Sequence, residues 1–287
     1  MLLPDPQSDL ICPADDIFDR AAISARLETA AQTHTDDMAL RADIVQVLNE
    51  ARKSGTAAIE EAFTANPFAA RRMTRAYTWL TDCLVGAAHH MATTHIHPLP
   101  NPTEGERIAL FAVGGYGRGE MAPQSDVDLL FLTPYKITAW AESVIETMLY
   151  ILWDLRLKVG HASRTIKDCI RLGTEDYTIR TALLENRFLR GDASLAQELE
   201  TRLYNDLFKG TERDFIEANL AERDARHVKQ GERYVVEPNI KEGKGGLRDL
   251  QSLFWIAKYV YHVHTVAELV DLGLFEEDEF TLFSEAE

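Results

Sequence analysis

From Asp36 onward, apolar residues recur at steps of three and four: Leu40, Ile44, Leu48, Ala51, Ala58, Ile59 and Ala62, then Met73, Tyr77, Leu80, Leu84, Ala87 and Met91. That spacing puts each set on one helical face. The NPF turn at 66–68 between the two sets predicts an antiparallel helical pair. The first thirty or so residues carry little periodicity, and 1–35 reads as an N-terminal arm. After the proline-dense run HPLPNPTEGE (97–106) the period changes. IALFAV (108–113), VDLLFL (127–132) and KVGHASRTI (158–166) read as short strands, with Trp140, Val144, Met148, Leu152 and Leu155 forming a helical face between the last two. Beyond about Thr174 helices return, and a glycine-rich loop leads into a last one with Leu247, Leu250, Phe254 and Ala257 inward. The predicted class is α+β: a small mixed β-sheet core flanked by an N-terminal helical pair and a C-terminal helical domain. The expected division is an arm at 1–35, a sheet-bearing domain with its helical pair at 36–172, and a helical domain at 173–287. The acidic end FEEDEFTLFSEAE shows no stop signal, so the chain is expected to be part of something longer.

Composition narrows the class of partner. Hydrophobic residues are 46% and charged residues 26% of 287, ordinary values for a folded chain, and no apolar run is long enough to cross a bilayer. The start, MLLPDPQSDLICPADD, lacks a basic end and an apolar core, so no signal peptide is expected and the cytoplasm is the expected compartment. Cys12, Cys83 and Cys169 lie far apart in no metal-like spacing. A net charge of -16 opposes attraction to nucleic acid or to an anionic membrane, and neither is expected as a partner.

The chemistry concentrates in VGGYGRGEMAPQSDVDLLFL (113–132). Alternation along a strand points Asp126 and Asp128 to one side, with Val127 turned away. Two carboxylates that close stay jointly ionised only when cations or donors compensate them. Mg²⁺, which takes hard oxygen ligands together with substrate phosphates, answers that need. Gly114 and Gly115, at a strand end turning toward a helix, would let phosphate oxygens approach backbone N–H groups, with Arg118 and Ser125 adding a charge and a hydroxyl. Such a site suits attack on the α-phosphorus of a nucleoside triphosphate. Neither the dinucleotide pattern G-x-G-x-x-G nor a Walker loop fits these glycines.

Gly114-Gly115, about ten residues, then Asp126-x-Asp128 resembles the signature of the polymerase-beta-like nucleotidyltransferases. With LWDLRLKVGHASRT (152–165), LLENRFLRGD (183–192) and EPNIKEGKGGLRDLQSLFWIAKY (237–259), the string resembles the PII uridylyltransferase family from about residue 36 to about residue 262. The resemblance implies Mg²⁺-dependent transfer of UMP from UTP to a tyrosine of the PII signalling protein. It also implies an HD phosphohydrolase domain and paired ACT domains. Neither is visible in this stretch, so deuridylylation and glutamine regulation are expected to be absent from this polypeptide. The superfamily usually carries a third carboxylate on a later strand, and KVGHASRTI has none. Asp154 is the nearest substitute, Glu185 a poorer one, and His161 an alternative base. Two other readings stay open: transfer of AMP to a protein, and a nucleotide-sensing module whose catalysis has lapsed.

Three further clusters have plainer readings. His89, His90, His95 and His97 invite a zinc site, but neighbouring histidines on a helix point about 100° apart, and the segment reads as an exposed helix exit. Gly243, Gly245 and Gly246, with Lys241, Lys244 and Arg248, form either a contact for nucleotide or PII or a tight loop capping a helix. Arg71, Arg72 and Arg75 read as a solvated face.

Overall fold

Two helices, α1 (Ala14–Ile17) and α2 (Arg20–Thr33), occupy the stretch expected as an arm. In α2 the alanines are spread around the whole circumference, which erases the apolar stripe. Even so, Ile23, Leu27 and Ala30 are buried, and the Asp19 carboxylate accepts the Ala22 N–H at 2.9 Å to start the helix. This computed structural model describes residues 9–230, 239–263, 267–274 and 276–286. The first eight positions of the expected arm, and Glu237 and Pro238 of the last quoted motif, lie outside them.

The predicted helical pair is present as α3 (Asp37–Ala65), capped by Asp36, and α4 (Ala70–Met91). Leu40, Ile44, Leu48, Ala51 and Ile59 of α3 are buried, as are Leu80, Leu84 and Met91 of α4. At Gly55 a Cβ would stand 2.3 Å from the Ile17 carbonyl oxygen, so α1 lies directly on the α3 backbone. The arginines expected on a solvated face hold the N-terminal segment instead. Arg72 and Arg75 pair with Asp9 at 3.0 and 2.8 Å, and Arg72 also donates to the Leu10 carbonyl at 2.6 Å.

The sheet comprises β1 (Ala109–Ala112), then, after the one-turn helix α5 (Gly114–Arg118), β2 (Val127–Thr133). Helix α6 (Ala139–Asp154) carries the chain to β3 (Val159–Thr165). Helices α7 (Ile166–Glu175) and α8 (Tyr177–Leu184) then precede β4 (Arg187–Gly191). The strand order is β3-β2-β1-β4. β1 runs antiparallel to β2 and β4, while β2 and β3 are parallel, a pairing that requires a crossover, here α6. All three predicted strands are present. The fourth was unread because RFLRG is a short, half-buried edge strand with an arginine on either side of its apolar pair. One sheet face, with Leu110, Ala112, Val127, Leu129 and Phe131, belongs to the same core cluster as residues of α1 to α4 and α6. The other carries the buried Ala109, Phe111, Leu130 and Leu132, and register places Asp128, opposite Gly160, on that second face.

Contacts divide the chain into two units, and the division differs from the expected boundary. The first runs to Cys169 and takes back Glu185–Glu200, including β4 and most of α9 (Ala193–Leu203). The second takes Ile170–Leu184 and the described residues from Thr201 on. It is helical, as expected, with α10 (Glu212–Gln230), α11 (Leu247–Tyr261), α12 (Ala267–Asp271) and α13 (Glu277–Ala286). Its centre is Tyr259, whose ring stacks on Phe215 at 3.9 Å and whose hydroxyl meets the Thr211 hydroxyl at 2.6 Å. Of the predicted inward face of α11, Ala257 is buried and Phe254 packs beside it, whereas Leu247 is exposed and Ser252, Trp255 and Tyr259 are buried as well. No helix among the described residues is long and apolar enough to cross a membrane.

Candidate functional site: a carboxylate pair beside a glycine turn

β1 ends at Ala112, and the Val113 N–H donates to the Asp128 carbonyl at 3.0 Å, tying the turn to β2. The backbone then enters the left-handed region at Gly114, φ +60°, where a side chain is disfavoured. A Cβ there would stand 3.6 Å from Asp128 Oδ2. Across the sheet Gly160 of β3 lies opposite Asp128, and a Cβ at Gly160 would fall 2.3 Å from Asp128 Oδ1. Asp128 Oδ1 therefore packs where a side chain at position 160 would stand, and Oδ2 faces the side-chain-free Gly114. Gly160 was not singled out in the sequence; its signal was a glycine inside an otherwise regular strand.

Asp126 is exposed, Val127 is fully buried and Asp128 is half-buried, the alternation a strand start requires. Burial, and then the negative charge of Asp126, push the Asp128 carboxyl above the ordinary carboxylate range. A divalent cation bound by the pair would reverse that unfavourable balance. Oxygen-only donors beside side-chain-free Gly114 fit a hard divalent cation. Ser125 sits in the preceding turn, where its Oγ accepts the Ala122 N–H at 2.9 Å. That bond leaves the hydroxyl proton free to point elsewhere.

Arg118, expected to contact phosphate, is tied to two carboxylates. It donates to Glu185 Oε2 at 2.6 Å and to Glu120 Oε2 at 2.8 Å, so its charge is already matched by two carboxylates. Glu185, the weaker candidate for a third carboxylate, is buried in this pair. Sequence reasoning also missed the support beneath the turn. Arg187 of β4 grips Asp82 of α4 through two bonds, at 2.7 and 3.0 Å, and donates to the Tyr116 and Gly117 carbonyls at 3.2 and 3.3 Å. At Gly117 a Cβ would lie 1.8 Å from the Glu185 carbonyl oxygen, so the backbones touch. The glycines of GGYGRG thus serve two ends, open space at Gly114 and close packing at Gly117.

The other candidates are not gathered into the site. His161 pairs in register with Leu129, on the sheet face opposite Asp128, and its ring lies 6.5 Å from Trp153. Asp154 is the exposed last residue of α6. Among the described residues, no third His, Cys, Asp or Glu ligand atom joins those of Asp126 and Asp128 within 4.8 Å. The Gly243 loop closes on itself. Asn239 Oδ1 accepts the Lys241 and Glu242 N–H groups, and the Gly245 N–H donates to Asp249 at 2.7 Å.

Comparison with known proteins bears out the resemblance. The nucleotidyltransferase domain family matches residues 102–189, the stretch holding the whole turn, both aspartates and most of the sheet. The family described as GlnD PII-uridylyltransferase matches residues 214–287. A bifunctional uridylyltransferase/uridylyl-removing enzyme of Ruegeria pomeroyi is 65% identical over 271 residues, 94% of this chain and 30% of that protein. Its namesake from Cereibacter sphaeroides is 58% identical over 98% of this chain and 30% of its own length. The one from Rhodospirillum rubrum is 49% identical over 94% of this chain and 29% of its own length. The chain thus spans about 30% of the length of the curated relatives it matches.

Proposed function

We propose that the chain, related over nearly its whole length to the bifunctional uridylyltransferase/uridylyl-removing enzymes, transfers UMP from UTP to a tyrosine of the PII signalling protein. The tyrosine oxygen forms a bond to the α-phosphorus, and the bond from that phosphorus to the bridging oxygen breaks. Pyrophosphate leaves with the electron pair, and the phenolic proton passes to solvent. Asp126 and Asp128 would hold Mg²⁺, which when bound neutralises triphosphate charge and favours a pyrophosphate leaving group. The chain's own part is positioning. Gly114 and Gly160 keep the space around Asp128 clear, the Val113 bond fixes the turn on β2, and Arg187 and Arg118 hold α5 from below.

The single observation that carries this reading is the Asp128 carboxylate set against glycines of two different elements, Gly114 and Gly160, beside a second carboxylate. The proposal includes a reducing, cytoplasmic setting, which suits three cysteines that all stand as free thiols. The test is incubation of this chain with Mg²⁺, labelled UTP or ATP, and PII, followed by mass spectrometry of the acceptor. A uridylyl adduct on tyrosine is expected. An adenylyl adduct would reassign the nucleotide. Nucleotide binding without any adduct would favour the lapsed sensor, a reading supported by the pair's lack of a third carboxylate among the described residues.

A further inference from the structure

The four histidines read as a helix exit are not equivalent. His89 is half-buried, and His97 meets the Thr147 hydroxyl at 2.8 Å. His90 and His95 instead turn their Nε2 atoms on one oxygen, Glu28 Oε1 of α2, each at 3.1 Å. The three ligand atoms lie within 4.8 Å of one another. Five residues of α-helix would rotate His95 about 140° away from His90. What brings them together is a π-helical turn, Ala92–Ile96, closed by the His97 N–H donating to the Ala92 carbonyl five residues back at 2.9 Å. Such turns are rare and concentrate at functional sites.

We propose that Glu28, His90 and His95 form a transition-metal site of the Zn²⁺ class, separate from the aspartate pair. Two imidazoles and one carboxylate are a standard three-ligand set for Zn²⁺, with the fourth position left to water. A tetrahedral ion with bonds of about 2.1 Å has ligand-to-ligand edges of roughly 3.4 Å, and the two 3.1 Å separations reach that with shifts of a few tenths of an ångström. Imidazole donors select Zn²⁺, Co²⁺ or Ni²⁺ over Mg²⁺, so the chain has one oxygen site and one nitrogen-rich site of different preference. Glu28 and His90 are partly exposed, 39% and 51%, which leaves the fourth position facing solvent, while His95 is mostly covered. The Thr94 hydroxyl lies 3.4 Å from His90 Nδ1, placed to orient that ring. The bound ion would fasten α2 to the exit of α4.

The test is calorimetric titration of the chelator-stripped chain with Zn²⁺ alone, in excess Mg²⁺ to fill the oxygen site, with Co²⁺ absorption reporting geometry. One equivalent of Zn²⁺ and a tetrahedral Co²⁺ spectrum are expected. Loss of one ligand in His90→Ala, His95→Ala or Glu28→Gln should weaken binding by about 100-fold or more, since loss of outer-shell partners alone costs 10- to 100-fold. His34→Ala, which removes a ring paired with Asp43 rather than Glu28, and Asp126→Asn should bind Zn²⁺ as the parent does. Zn²⁺ should raise the melting temperature of the parent but not of Glu28→Gln, each compared with its own metal-free form. No Zn²⁺ uptake, or uptake unchanged in His95→Ala, would overturn the proposal.

Discussion

Two glycine-rich turns in this chain lead into helices, and they differ in what the missing side chains make room for. Across the sheet at Gly160 a Cβ would crowd the carboxylate of Asp128, a group with no structural duty in the core, and at Gly114 the positive φ disfavours a side chain beside the same carboxylate. At Gly243 and Gly246 a Cβ would strike the carbonyls of Asn239 and Ile240, at 2.6 and 2.5 Å. The loop's own carbonyls occupy that space. The first turn is open and frames a group with an unfavourable charge balance, Asp128, whose carboxyl is lifted by burial and by Asp126. The second surrounds Asp249, whose carboxyl is depressed. Burial works against it, but the Gly245 N–H, Arg226 and His227 outweigh burial. A carboxylate left short of partners awaits a ligand; one supplied with three donors is already part of the scaffold.

The comparison breaks first at the aspartates. Asp126→Asn and Asp128→Asn should each lower transfer by at least about a hundredfold, the scale of removing an electrostatic stabiliser, with circular dichroism unchanged and an unfolding midpoint no lower than the parent's. Next, Gly160→Ala should displace the Asp128 carboxylate and weaken Mg²⁺-dependent nucleotide binding by about tenfold, at a cost of order 1–3 kcal/mol in stability. Calorimetry and denaturant unfolding separate the two effects. Gly246→Ala should destabilise the second unit by a similar amount and leave nucleotide affinity within about twofold, which would set the two turns apart by assay.

The smallest effect is a pH dependence. Because the folded-state pKa of Asp249 lies below its unfolded value, its contribution is fully present above about pH 4, near the unfolded carboxylate value, and is lost as pH falls through the folded one. The gap in denaturant midpoint between the parent and Asp249→Asn should therefore shrink from pH 6 toward pH 3. A gap that widened on acidification would reverse the assignment.

What could be read in advance follows from what leaves a local trace. β1 and β2 announce themselves as apolar runs beside glycine or polar residues, and α3, α4 and α6 as stripes. Helix α2 leaves none, because its alanines surround it, and β4 leaves little, because arginines bracket its apolar residues. The aspartate pair and Gly114 were legible because strand alternation is local. The pairing of Arg118 with Glu185 left no local trace, because Glu185 lies 67 residues away. Asp154 and His161 were near in sequence, but Asp154 ends α6 in an exposed position and strand register turns His161 to the other face. The convergence of His90 and His95 on Glu28 was hidden twice, by a separation of 62 residues or more and by a π turn that ordinary helical geometry does not anticipate.

The central claim is that Asp126 and Asp128 receive a cation-bound triphosphate beside the Gly114 turn. Calorimetric titration of UTP into the parent chain and into Asp128→Asn, each with and without Mg²⁺, tests it most directly. The account predicts UTP binding that requires Mg²⁺ in the parent and is lost in the variant. Equal UTP affinity in all four titrations would contradict it.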